Sequence, residues 1–146
     1  MWGRILIFGA LLLCAGASQA SATVRITSDN GGQIQKYLNR YTGLRNSGEQ
    51  VVIDGPCLSA CTLILGIVPN KQVCVTRRAR LGFHAAWTPG QDGSQVRSDR
   101  GVFQLMQWYP PKVRRWIARK GGLTRRIIYL KGGELTAFYP RCHQTN

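Results

Sequence analysis

In the stretch GPCLSACTLILG, residues 55–66, a serine stands between two cysteines where a strand-like run gives way to an apolar run of helical character. The chemistry this invites is nucleophilic. A serine hydroxyl attacks a carbonyl only with a base in hydrogen-bond reach, donors aimed at the developing oxyanion and, as a rule, a carboxylate that orients the base. Ser59 is the nucleophile candidate and His84 the base, because the second histidine, His143, falls in the C-terminal tail. Ser59 would open an apolar helix, where the first N–H groups lack partners and the dipole is positive, so Ala60 N–H is one oxyanion donor candidate. Gly31 and Gly32 of the Asn-Gly-Gly turn are the other, since glycine lets backbone approach a substrate closely. Among the acids after His84 (Asp92, Asp99 and Glu134), Glu134 is the best placed orienter.

Each residue also has a plain structural reading. A serine at a strand-to-helix turn is a common N-cap, and a histidine before Ala-Ala-Trp can be a hydrogen-bonded packing residue. Glu134 after two glycines can be a first-turn charge that stabilises a helix by roughly 0.3–1 kcal/mol. What tips the balance toward chemistry is the ordered set of Gly-Gly, Ser and His, each at the exit of a strand.

The elements that must position this set follow from periodicity. Val24 and Ile26 alternate with polar neighbours and predict a strand, broken at Asp29-Asn30-Gly31-Gly32. Ile34, Tyr37, Leu38 and Tyr41 recur at helical spacing. QVVID predicts a buried strand, GPC a turn, Ser59–Val68 an apolar helix, QVCVT a strand, and LGFHAAW a further short strand carrying His84. Pro89–Arg100 reads as a polar loop. Phe103, Met106 and Tyr109 predict one helix face before Pro110-Pro111; Val113, Trp116 and Ile117 predict the next, stopped at Gly121-Gly122. RRIIYL fits a closing strand or a helical turn. The alternation calls for an α/β fold: a small, mostly parallel sheet with helical crossovers, its loops gathered at the carboxyl edge where ligands bind, followed by a helical C-terminal part.

The first 22 residues read as a cleavable secretory signal, with Arg4, an apolar Ile5–Leu13 core and an Ala-Ser-Ala site. The position of Cys14 after three leucines disfavours a lipoprotein. Removing residues 1–22 from the 146 leaves 124, enough for one domain (23–146) with a modest core. Export leaves Cys57, Cys61, Cys74 and Cys142, an even number for an oxidising compartment, periplasmic or extracellular. Of the three connectivities, Cys61–Cys74 with Cys57–Cys142 is preferred, the first joining helix to strand and the second tying the tail to the serine loop. A zinc set of Cys57, Cys61, Cys74 and His84 is disfavoured because the knuckle spacing is wrong. No metal or cofactor is called for.

At this point the chain resembles a known family. SDNGG, GPCLSACTLILG and RARLGFHAAW together are similar to the proteolytic subunit of the Clp protease and its crotonase-like relatives, in an exported branch. The resemblance covers about residues 24–87. It implies a peptidase-like serine hydrolase in which Ser59 is the nucleophile, His84 the base and Gly31, Gly32 and Ala60 the oxyanion hole, and an orienting acid well downstream. The G-x-S-x-G elbow of α/β-hydrolases is absent. The family's N-terminal units and its helical handle are not evident, leaving the sheet small or open to completion by a second copy.

The competing reading is a catalytically inactive basic binding module of the same fold. Twenty Lys+Arg face six Asp+Glu, for a net charge of +14, and seven of the cations crowd into Lys112–Arg126. Such a surface favours an acidic polymer or an anionic membrane surface. Nucleic acid is disfavoured, since export and the lack of a recognition motif speak against it.

Overall fold

The computed structural model describes residues 22–143. The expected signal segment therefore lies, except for Ala22, outside the described residues. Among those described, no helix is long and apolar enough to cross a membrane.

The fold is α/β with small, mostly parallel sheets. β1 (Thr23–Ile26) leads through α1 (Ile34–Ser47) into β2 (Gln50–Ile53), which pairs in parallel with β1 and with β4 (Val73–Val75). β3 (Pro56–Leu58) pairs in parallel with β5 (Arg80–Phe83), and β8 (Ile128–Lys131) closes this second sheet antiparallel to β5. Between β3 and β4 lie a 3-10 turn, Ser59–Leu63, and the short α2, Ile64–Ile67.

Where one sheet was expected there are two three-stranded ones, besides a separate two-stranded hairpin, and a shared kink explains the division of the first two. β2 runs into β3 through Asp54-Gly55, while the chain after β1 returns to pair with β3 at Asp29, opposite Cys57. Asp54 N–H donates to Ile26, and Asp29 N–H to Pro56. A side chain at Gly55 would put its Cβ 1.9 Å from the Thr27 carbonyl oxygen, so only glycine lets the two strands cross this closely.

The core lies between these sheets and the helices. Ile26, Val51, Ile53 and Val75 of the first sheet, Tyr41 and Leu44 of α1, and Leu81, Phe83 and Leu130 of the second sheet all belong to it. Phe83 stacks edge-on to Tyr109 and tilted to Trp116, at 5.4 and 5.3 Å. Buried aromatics place their polar tips on partners: Tyr41 Oη donates to the Cys61 carbonyl at 2.9 Å.

Other expectations are corrected. The polar segment Pro89–Arg100 is mostly a hairpin, β6 (Trp87–Pro89) with β7 (Gln95–Arg97), and its last residues open α3 (Asp99–Trp108). Ser98 caps α3, its hydroxyl accepting from Gly101 N–H at 3.1 Å. The buried face of α3 is Gly101 and Leu105, continuing to Tyr109, whereas Phe103 is 64% exposed. This stripe of every fourth residue wins because Gly101 faces Ala86 so closely that a Cβ would clash at 2.6 Å. α4 (Pro111–Arg119) buries Val113, Trp116 and Ile117 as expected, and Gly121 and Gly122 follow it in the left-handed conformation. RRIIYL supplies the strand β8, followed by α5 (Gly132–Thr136).

The disulfides are Cys57–Cys61 and Cys74–Cys142, not the preferred alternative. Cys57 and Cys61 bracket a single tight turn and so find each other. The tail instead runs along the free edge of β4, with Val75 N–H donating to Pro140 and Cys142 N–H to Val75, which delivers Cys142 to Cys74. Both bridges consume the thiols that a zinc set would need.

Candidate active site

Ser59 is the first residue of the 3-10 turn that follows β3, and it has φ +56°, the one positive value at a non-glycine residue among those described. A side chain in this region costs on the order of 1–3 kcal/mol, and such strain concentrates at functional turns. The N-cap reading does not hold: the cap position is Leu58, and no side chain caps the turn. The Cys57–Cys61 bridge closes over the turn from both sides.

Gly31, with φ +80°, packs its Cα against this turn. A Cβ there would meet Leu58 O at 2.6 Å, Ser59 Cβ at 2.7 Å and Ala60 N at 2.9 Å. The Asn-Gly-Gly loop is held in place by Asp29, whose Oδ1 accepts from Gly31 N–H at 2.9 Å and from the Tyr37 hydroxyl, while Oδ2 accepts from Arg40 at 3.2 Å. Burial first, and the hydrogen bond to Asp29 second, push the Tyr37 hydroxyl up to about 12, so it stays a donor. Gly31 N–H is thereby committed. Among the described residues the amides of Gly32 and Ala60 donate to no protein acceptor; Gly32 lines the cavity that Ser59 lines, whereas Ala60 is buried and is not part of its lining.

His84 follows directly on β5, and β5 pairs with the strand that delivers Ser59. The His84 Nδ1 lies 2.8 Å from the Ala85 carbonyl. A carbonyl only accepts, so Nδ1 carries the proton in this contact, and Nε2 of the neutral ring is left as an acceptor. Ser59, His84, Gly31 and Gly32 line one cavity of about 640 Å³, walled on the far side by the hairpin at Trp87 and by α3 at Arg100 and Gln104.

Glu134 is not brought to His84. Its Oε1 accepts from the Trp116 indole at 2.7 Å and pairs with Lys120 at 3.5 Å. The orienting contact sought in a carboxylate is made by the Ala85 carbonyl, one residue away, a partner no side-chain inventory could supply. Asp29, the α3 wall and the hairpin were also missed. Asp29 two residues before Gly31 is an Asx-turn signature that could have flagged it.

No family model matches the sequence, and no curated protein matches it. A search of solved structures finds the N165D mutant of ClpP1 from Listeria monocytogenes, at 15% identity and a TM-score of 0.47, covering 80% of this chain and 68% of that one. At that identity and score the likeness assigns no role to any residue here.

Proposed function

We propose that the protein is an exported serine hydrolase that cleaves a peptide or ester bond. Ser59 Oγ attacks the carbonyl carbon as His84 Nε2 takes its proton, and the N–H groups of Gly32 and Ala60 receive the oxyanion. On collapse the leaving group takes that proton from His84, and water then releases the acyl group from Ser59. The observation that carries this reading is the strained φ of Ser59 in a cavity that His84 also lines, where the one hydrogen bond of the His84 ring goes to the Ala85 carbonyl and none to Ser59. Two disulfides support an oxidising compartment, periplasmic or extracellular, consistent with a signal segment at residues 1–22. Self-association belongs to the same reading, with Phe103 and Trp87 as exposed apolar contacts.

The test is a fluorophosphonate probe on the purified, oxidised protein. Labelling is expected at Ser59 and is expected to vanish in Ser59→Ala and fall by about 10⁴-fold or more in His84→Ala. A wild-type protein that takes up no label overturns the proposal.

A further inference from the structure

At the opposite end of β5 from His84 lies a second cavity, of about 850 Å³, and its chemistry is different. Its floor is Gly55, Pro56 and Ala79, and its rim carries Arg77, Arg78, Arg80 and Lys131. The one acid lining it is Asp54, 5% exposed. That carboxylate is fully used: Oδ1 accepts from Thr76 at 2.7 Å and Arg78 Nε at 3.0 Å, and Oδ2 accepts from Arg25 at 2.7 Å and from Arg78. Arg77, Arg80 and Lys131 form no ion pair among the described residues.

The strand register makes this more than a basic surface. Arg80 and Lys131 are direct partners across the antiparallel pair β5–β8. Opposed residues hold their Cβ atoms about 4.5–5.5 Å apart, and like charges in that arrangement destabilise the sheet. The arrangement becomes favourable when an anion sits between the two cations. Arginine offers a planar fork to oxyanions, and lysine a mobile point charge.

We propose that this cleft binds a phosphate group, as a phosphate ester or anhydride, held by Arg80 and Lys131 with Arg77 at the rim and Arg78 fixed in place by Asp54. Three unneutralised cations match a ligand carrying two or more negative charges. The site is separate from the Ser59 cavity, and binding there does not depend on hydrolysis.

Calorimetric titration of the oxidised protein with inorganic tripolyphosphate tests this at moderate salt, where diffuse attraction is screened. One-to-one saturation is expected, weakened at least tenfold in Arg80→Gln and in Lys131→Gln. In Arg119→Gln, an equal charge change on α4, affinity should stay within twofold. Thermal melts separate binding from folding: without ligand, Arg80→Gln should melt at or above the wild type because the like-charge pair is gone, and only the wild type should gain stability with tripolyphosphate. Absence of saturable binding, or equal weakening in Arg119→Gln, overturns the assignment. Neutral vesicles with and without a phosphatidate component distinguish the source. Arg80-dependent capture by the anionic vesicles assigns a lipid headgroup, and binding of tripolyphosphate alone a soluble phosphate. Either upholds the cleft as a phosphate site.

Discussion

The two ends of β5 are built by opposite means. At its exit, His84 and Ser59 sit among backbone amides, and the groups that matter are positioned by main-chain geometry: a left-handed serine, a left-handed glycine, and a carbonyl beneath an imidazole. At its entrance, Arg80 belongs to a ring of long, exposed side chains gathered around one buried carboxylate. The first arrangement leaves no room for a Cβ at Gly31. The second fixes charge rather than position, and changes in it are read in binding and pH dependence. In the proposed hydrolase site, positioning rests on main-chain geometry; in the proposed phosphate site, selectivity rests on cations that form no ion pair among the described residues.

The disulfides sharpen the contrast most. The loop closed by Cys74–Cys142 spans 68 positions and that of Cys57–Cys61 only 4. Loop-closure entropy then gives about 4 kcal/mol for the first and about 2 kcal/mol for the second. Denaturant midpoints of the paired Cys→Ala variants should follow that order. Ser59 labelling should reverse it: removing the short bridge frees the serine turn and slows labelling by about 10²-fold, while the folded fraction without the long bridge labels normally. Equal labelling in both variants would break the idea that the short bridge positions the serine.

Gly31→Ala comes next. The new Cβ collides with Leu58 O and Ala60 N, so Ser59 labelling should fall by about 10²–10³-fold, the scale of a lost oxyanion donor. Gly93→Ala serves as the control, since Gly93 also has positive φ but nothing lies within 4 Å of its added Cβ. It should strain the hairpin tip and leave labelling unchanged.

The basic end should show itself in acid. Hydrogen bonds from Arg78 first, and from Thr76 next, hold the Asp54 carboxyl well below the usual carboxylate range. The stabilisation is complete above about pH 4, the value of an unfolded aspartate. As pH falls further, the unfolded chain takes up a proton that the folded chain refuses, so stability drops toward the folded-state value. Urea midpoints measured from pH 6 to pH 2 should decline below pH 4, and Asp54→Asn should flatten that decline. An unchanged slope would detach Asp54 from the acid response.

The smallest effect is expected at Glu134. Because the Ala85 carbonyl holds the imidazole, Glu134→Gln should leave labelling within about twofold and cost about 1 kcal/mol through the weakened bond to Trp116. A loss near 10⁴-fold, as when a triad carboxylate is neutralised, would restore Glu134 as the orienter.

Much of this was legible in sequence. Alternating Val24 and Ile26, the helical stripe of Ile34, Tyr37, Leu38 and Tyr41, and the inward set Val113, Trp116 and Ile117 are periodic signals, and periodicity survives tertiary context. Gly31, Gly32, Ser59 and His84 line one cavity, but the expected single parallel edge is not what gathers them: β1 and β5 lie in different sheets, and the Asp29–Cys57 β-bridge brings the glycine loop to the serine turn. On α3, Met106 and Tyr109 pack on the core as expected, but Phe103 does not, because hydrophobicity points to Phe103 while close packing against Ala86 demands Gly101.

The residue types and their order along the chain were enough to determine the α/β class and the excess of cations, and to nominate Ser59 and His84 as candidates for chemistry. Tertiary structure alone decided which cysteines pair, that Ser59 is strained, that a backbone carbonyl serves His84, and that Arg80 faces Lys131. The reason is physical: local pattern encodes which face of an element is apolar, whereas pairing, strain and strand register depend on distances between segments remote in sequence, and those distances exist only once the kinked strands have packed.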